Sequence, residues 1–171
     1  MTGFGYDVHK LSPGQTLILG GVKIDSAFGT VAHSDGDVVL HALIDGLFGA
    51  AGLRDIGDHF PDSDARYKNI DSRELLRLAL LELGQHSWQI GNVDLVLMAE
   101  RPKLCGQKQR IRSVLSGLLG ISEQQVSIKA KTNEGFDAVG QRLAIACHAV
   151  VAIFRESRRD YVAANLQHID A

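Results

Sequence analysis

A chain of 171 residues with 45% hydrophobic and 22% charged side chains has the balance of one globular domain, which excludes a mainly disordered chain. Its 18 basic and 20 acidic side chains leave a formal charge of −2, so no basic surplus exists for nucleic acid and no polybasic run for a membrane surface. Apolar runs fall short of the ~20 residues of a membrane-spanning helix. Met1 leads into Thr2-Gly3-Phe4-Gly5 without a charged or apolar leader, so no signal or transit peptide is expected. Cys105 and Cys147 lie outside any CxxC spacing and are expected as reduced thiols in a cytoplasmic protein.

In chain order, Gly3–Leu11 and Thr16–Ile24 read as two strands joined by a Ser12-Pro13-Gly14-Gln15 turn. Gly36–Gly52 carries Val39, Leu40, Leu43, Ile44, Leu47 and Phe48 at helical spacing, entered through a Ser34/Asp37 capping pair. Leu53–Asn69, polar and holding Gly57 and Pro61, reads as an irregular loop. A second helix starts at Asp71 or Ser72, where Asp71 and Glu74 have capping spacing, and runs to Gly84. Asn92–Ala99 is a strand, and Gln107–Leu119 a helix with Ile111, Val114, Leu115 and Leu118 facing inward. Val126–Lys131 and Leu143–Phe154 are the last strands. The order β-β-α-α-β-α-β-β predicts an α/β (α+β) fold, a mixed sheet covered by helices on one face. Residues 1–154 are expected as a single domain, and 155–171 as a charged tail, either a short helix or frayed.

Candidate chemistry starts with Asp7 and His9, two apart on the first strand and therefore on one face. His41 lies on the first helix with Asp37 and Asp45 four residues to either side. One carboxylate and two imidazoles suit a divalent ion such as zinc with a fourth position open, and Asp45 is placed to orient the His41 ring. The alternative is a helix histidine satisfied by Asp45. His33-Ser34-Asp35-Gly36-Asp37 feeds a helix N-terminus, where free N–H groups favour phosphate, or is simply a capped helix start. Arg54–Asp64 carries four acids, suited to sugar hydroxyls or a metal if it is more than a solvated loop. Lys129–Gly135 ends a strand with Lys, Thr and Glu, which can hold phosphate oxygens and a hard cation, or is a polar turn.

Together these blocks resemble the 2-C-methyl-D-erythritol 2,4-cyclodiphosphate synthases of the non-mevalonate isoprenoid pathway. The likeness runs from Gly5-Tyr6-Asp7-Val8-His9 to about Phe154, through Ala32–Leu53, Asp55–Asp64, Asp71–Leu76, Gly91–Leu104 and Lys129–Glu134, in the family's order and spacing. The resemblance implies a cytoplasmic homotrimer of ferredoxin-like subunits with active sites at the subunit interfaces. It implies cyclisation of 4-diphosphocytidyl-2-C-methyl-D-erythritol 2-phosphate with release of CMP, using one zinc per subunit and a second divalent cation, Mg2+ or Mn2+. Zinc falls on Asp7, His9 and His41, and the second cation on Glu134. His33 and Thr132 match the catalytic positions. Substrate contacts fall on Asp7, His9, His33, Ser34, Asp55, Gly57, Phe60, Asp62, Asp64, Ala99, Pro102, Lys103, Leu104, Lys131, Thr132, Asn133 and Glu134. A zinc-dependent phosphodiester or nucleotide hydrolase is the alternative, and a non-catalytic nucleotide-binding or metal-storage trimer a further one.

The chain departs from the family's pattern after Glu134. Ala138 stands where an aromatic often occurs, and Gln141 where the family often has an arginine. With Gln141 and His148 near the implied trimer axis, anion binding there is expected to be weak and to strengthen as His148 gains a proton. Arg142 is expected on the opposite face if that stretch is extended.

Overall fold

A computed structural model describes residues 1–155, so the expectation for the remaining tail lies outside the described residues. Strand β1 (Thr2–Pro13) alternates, turning Gly3, Gly5 and Leu11 inward and Thr2, Phe4, Tyr6 and Val8 outward. Thr16–Ile24 is not one strand. It is a hairpin of β2 (Leu17–Leu19) and β3 (Val22–Ile24), because Gly20 and Gly21 both take positive φ, 59° and 75°, and reverse the chain. A further strand, β4 (Phe28–Val31), pairs antiparallel with the end of β1. Its four residues include a glycine and show no alternation long enough to read in sequence.

Helix α1 (Val38–Ala51) begins one turn later than a Ser34 cap would place it. Its N-cap is Asp37, whose carboxylate accepts from the N–H groups of Val39 and Leu40 and also from Gly20 and Gly21 of the hairpin turn. The loop expected at 53–69 holds one short helix, α2 (Ile56–His59), and a 3-10 turn at Ala65–Tyr67. Each is capped by an aspartate, Asp55 and Asp64, an arrangement too local to give hydrophobic periodicity. Helix α3 (Ser72–Gln85) is capped by Asp71 as expected. Then come β5 (Gln89–Met98), α4 (Lys108–Leu119), β6 (Val126–Lys131), α5 (Asp137–Gly140) and β7 (Ala144–Phe154).

The main sheet runs β4-β1-β7-β5-β6 and is mixed, with β5 and β6 parallel and the other neighbours antiparallel. Strands β1 and β5 both run against β7, so they are parallel with β7 between them, a split βαβ unit as the ferredoxin-like expectation requires. Helices α1, α3 and α4 cover one face, where Ile145, Cys147, Ala149, Val151, Leu95 and Leu97 meet Leu43, Leu47, Phe48 and Leu76. On the other face Phe4, Tyr6, Val8 and Val150 are exposed. His148 lies there, its ring 4.8 Å from Tyr6 and 5.7 Å from Phe4. Ala144 and Ala146 share that face but are covered by Val139 and Met98. Gln141 and Arg142 are not extended: Gln141 ends α5 and Arg142 takes φ 64°, so strand alternation does not decide where Arg142 points.

Candidate active site

Glycines set how closely α1 lies on β1. A Cβ at Gly5 would stand 1.9 Å from the Ala42 carbonyl oxygen, and one at Gly3 2.0 Å from the Gly46 carbonyl oxygen. This contact brings His41 of α1 over Asp7 and His9 of β1. Three atoms, Asp7 Oδ2, His9 Nε2 and His41 Nδ1, then form a triangle with every edge 3.1 Å. A tetrahedral zinc with ligands at about 2.0–2.1 Å has ligand–ligand edges of about 3.3 Å. The triangle therefore fits a small divalent ion held by one carboxylate and two imidazoles with an outer position free, and it is the cluster of potential metal ligands found among the described residues. Burial opposes ionisation of Asp7, but the hydrogen bonds from His41 and His9 outweigh it and hold the carboxyl well below the usual range. Burial also opposes a charged His41, yet Asp7 outweighs it and raises the ring's pKa. Carboxylate and imidazole thus favour one another's charged forms.

With Nδ1 facing the triangle, the His41 Nε2–H is free to donate to Ser72 Oγ at 2.9 Å and to Ser34 Oγ at 3.2 Å. Ser72 is fully buried; its hydroxyl donates to Asp35, which also accepts from the Ser72 N–H at 3.1 Å. This chain fixes the ring as metal-bound histidines usually require. It replaces the expected contact with Asp45, whose carboxylate instead accepts from the Ile56 N–H at 2.8 Å and ties α1 to the first residue of α2. Asp35 and Ser72 come from segments far apart in sequence, so spacing could not pair them with His41.

Beside the triangle lies a cavity of about 560 Å³ lined by His9, His33, Ser34, His41, Gly57, Phe60 and Asp62, among others. Of the residues expected at the phosphate and sugar side, His33, Ser34, Gly57, Phe60 and Asp62 are thus brought together. Asp55 and Asp64 do not line it. Asp55 accepts from the Asp58 N–H, and Asp64 pairs with exposed Arg66 at 2.6 Å, so both carboxylates hold local turns. A second cavity, about 190 Å³, is lined by Ala99, Pro102, Lys103, Leu104, Lys131 and Thr132, with exposed Cys105 at its rim. Beyond it the Thr132 hydroxyl donates to Glu134 at 2.5 Å, next to Asn133. Glu100, inside the same block, escaped the sequence reading; its carboxylate accepts from the Asn133 N–H at 2.8 Å.

The two cavities lie apart within one chain. The register runs Val8, Ala146, Met98, Lys131 across the sheet, three strand spacings or roughly 14 Å. Asp7 and His9 flank Val8 at one end of that row, and Thr132 follows Lys131 at the other.

Residues 1–154 match the model of the YgbB family. A 2-C-methyl-D-erythritol 2,4-cyclodiphosphate synthase of Pseudomonas aeruginosa is 46% identical over 151 residues, 88% of this chain and 96% of that protein. The bifunctional enzyme IspD/IspF of Anaeromyxobacter dehalogenans is 45% identical over 154 residues, but the match covers only 40% of its length. A solved structure of a 2C-methyl-D-erythritol-2,4-cyclodiphosphate synthase in a form bound to CDP superposes with TM-score 0.85 at 36% identity, covering 90% of this chain and 100% of that one. The hydrolase alternative finds no support in these relatives. A match over the whole described domain, at this identity, on a structure that assembles the expected three ligands, places the chain in the YgbB family.

Proposed function

We infer that the chain is a cyclodiphosphate synthase of isoprenoid precursor biosynthesis, converting 4-diphosphocytidyl-2-C-methyl-D-erythritol 2-phosphate into the 2,4-cyclodiphosphate and CMP. The observation that carries this reading is the Asp7–His9–His41 triangle opening onto a cavity lined by His33 and Ser34, in a chain 46% identical to such synthases. An oxygen of the substrate's 2-phosphate bonds to the β-phosphorus, the bond from that phosphorus to the bridging oxygen breaks, and CMP leaves with that oxygen. No protein nucleophile is needed. The chain's work is to hold attacker and phosphorus in one folded pose, worth up to about 7–11 kcal/mol of barrier. His33 and Ser34 face the phosphate side, and Lys131 and Thr132 donate to phosphate oxygens, so that opposed charges come close without open repulsion. Asp62, Gly57 and Phe60 shape the sugar end of the cavity; Asp55 and Asp64 act through the turns they cap. When bound, zinc on Asp7, His9 and His41 and Mg2+ or Mn2+ on Glu134 would supply positive charge to the diphosphate.

The cavity at Ala99–Cys105 fits the cytidine end. Its separation from the triangle supports a site completed between copies: the triangle from one subunit, the cytidine cavity with Thr132, Asn133 and Glu134 from its neighbour. The uncovered sheet face with Phe4, Tyr6, Val8 and Val150 gives a homotrimer a surface to bury. His148 faces the axis of such a trimer, so weak anion binding there is part of this reading. The free thiols Cys105 and Cys147 support a cytoplasmic location, and no helix of the described residues is long and apolar enough to cross a membrane.

Incubation of the zinc-loaded protein with the diphosphocytidyl substrate, followed by phosphorus NMR, tests the reaction. Equal amounts of CMP and cyclic diphosphate are expected; a ring-opened, hydrolysed product overturns the reading. Native mass spectrometry of the same sample should show three chains.

A further inference from the structure

The loop after β6 holds an unusual backbone. Glu134 takes φ 51°, a left-handed conformation that side-chain-bearing residues seldom adopt, and Gly135 follows at φ 83°. The peptide nitrogens on either side of Glu134 converge on one acceptor. Glu100 Oε1 receives the Asn133 N–H at 2.8 Å and the Gly135 N–H at a longer 3.5 Å. Backbone N–H groups gathered in this way form a small anion-binding nest, filled here by the chain's own carboxylate. From the far side, the Asn133 amide donates to Asp137 at 2.7 Å, and Asp137 in turn accepts from Val139 and Gly140. Glu100 itself leaves β5 where the parallel pairing with β6 ends, after the Ala99 N–H has bonded the Lys131 carbonyl at 2.9 Å.

We propose that Glu100 is a positioning residue that locks the cytidine segment, Ala99–Cys105, to the Thr132–Glu134 segment, and keeps Glu134 in its left-handed conformation. The proposal rests on the synthase reading above. A substrate whose cytidine lies on one segment and whose diphosphate lies on the other feels any slip between them, and in-line attack tolerates little misplacement. A neutral acceptor of the same shape should serve nearly as well, because the task is to receive N–H groups rather than to carry charge.

Glu100→Ala and Glu100→Gln separate these roles. For Glu100→Ala we expect kcat to fall at least tenfold and the Mn2+ concentration for half-maximal activity to rise at least tenfold. Zinc content should be unchanged, and KM should move less than threefold. Amide hydrogen exchange at Asn133 and Gly135 should quicken at least tenfold, a readout that needs no turnover. Glu100→Gln should recover at least a third of wild-type kcat with near-normal exchange. Unchanged exchange and unchanged kcat in Glu100→Ala overturn the proposal, as does a Glu100→Gln variant as impaired as Glu100→Ala, which would mean that the charge itself acts. If wild-type protein forms no cyclic product, the synthase reading fails, while the exchange measurement still decides whether Glu100 holds the loop.

Discussion

Replacing Gly5 by alanine tests whether the approach of α1 to β1 builds the metal site. The added Cβ would lie 1.9 Å from the Ala42 carbonyl oxygen and 2.6 Å from the Gly46 nitrogen. Both are helix backbone and cannot swing aside, so α1 must retreat by about 1.5 Å or β1 must bend to restore ordinary contact. Because the obstacles are backbone, the cost falls in the upper part of the range for overpacking, about 2–3 kcal/mol. At about 2–4 °C per kcal/mol for a chain of this size, the melting temperature should drop by about 4–12 °C. The site suffers with it. His41 precedes Ala42 directly and Asp7 lies two residues beyond Gly5, so a shift of this size opens a triangle whose edges are 3.1 Å. Zinc retained after dialysis against a chelator, measured by elemental analysis, should fall at least tenfold in affinity terms. Gly117→Ala is the control: nothing lies within 4 Å of its added Cβ, and a helix-interior glycine replaced by alanine should gain about 0.5–1 kcal/mol. A Gly5→Ala protein with wild-type melting temperature and zinc content would refute the reasoning.

Ser72→Ala should weaken zinc binding about 10–100-fold by freeing the His41 ring, whereas Asp45→Asn should leave zinc affinity within a few-fold; competition with a chromogenic chelator measures both. Asp37→Ala removes the α1 cap and strands the Gly20 and Gly21 N–H groups, so urea unfolding should show a loss of about 2–4 kcal/mol. Burial raises the Asp37 carboxyl to about 6 against the pull of its backbone donors, so the folded chain binds that proton more tightly than the unfolded one. The stability of the wild type relative to Asp37→Asn should therefore increase as pH falls from about 6 to about 4. Cys105 is exposed, while burial pushes the Cys147 thiol far up. Ellman's reagent should titrate one thiol in the native protein and two in denaturant.

Legibility in the sequence followed the range of the interaction. Asp7 and His9 share a face because strands alternate, and His41 faces them because α1 is helical; both periods can be read locally. The Ser72–Asp35 support could not be read, since it depends on α3 docking against the loop before α1. Asp45 misled for a related reason: four residues from His41 on one helix it shares a stripe, yet the turn before α2 offers its unpaired Ile56 N–H first. The hairpin at Gly20-Gly21 was legible in its glycines but masked by the apolar run around them. Resemblance supplied what periodicity could not: the expectation that Ala99–Leu104 and Lys131–Glu134 belong to one site, segments that lie together only because β5 and β6 are parallel neighbours.

Both ends of the described chain lie at one end of the sheet. The Met1 nitrogen donates to the Ile153 carbonyl at 2.7 Å, Thr2 pairs with Ala152, and the Arg155 guanidinium sits 4.1 Å from the centre of the Trp88 ring. The metal triangle begins at Asp7, five residues further along β1 than Thr2, or roughly 17 Å away. The domain therefore has a handle and a working end. A partner enzyme, an affinity tag or a surface linker joined near either end of the described chain meets the handle and stays clear of the working end. Adding a second domain therefore needs no rebuilding of this one, only a linker that starts on the correct side.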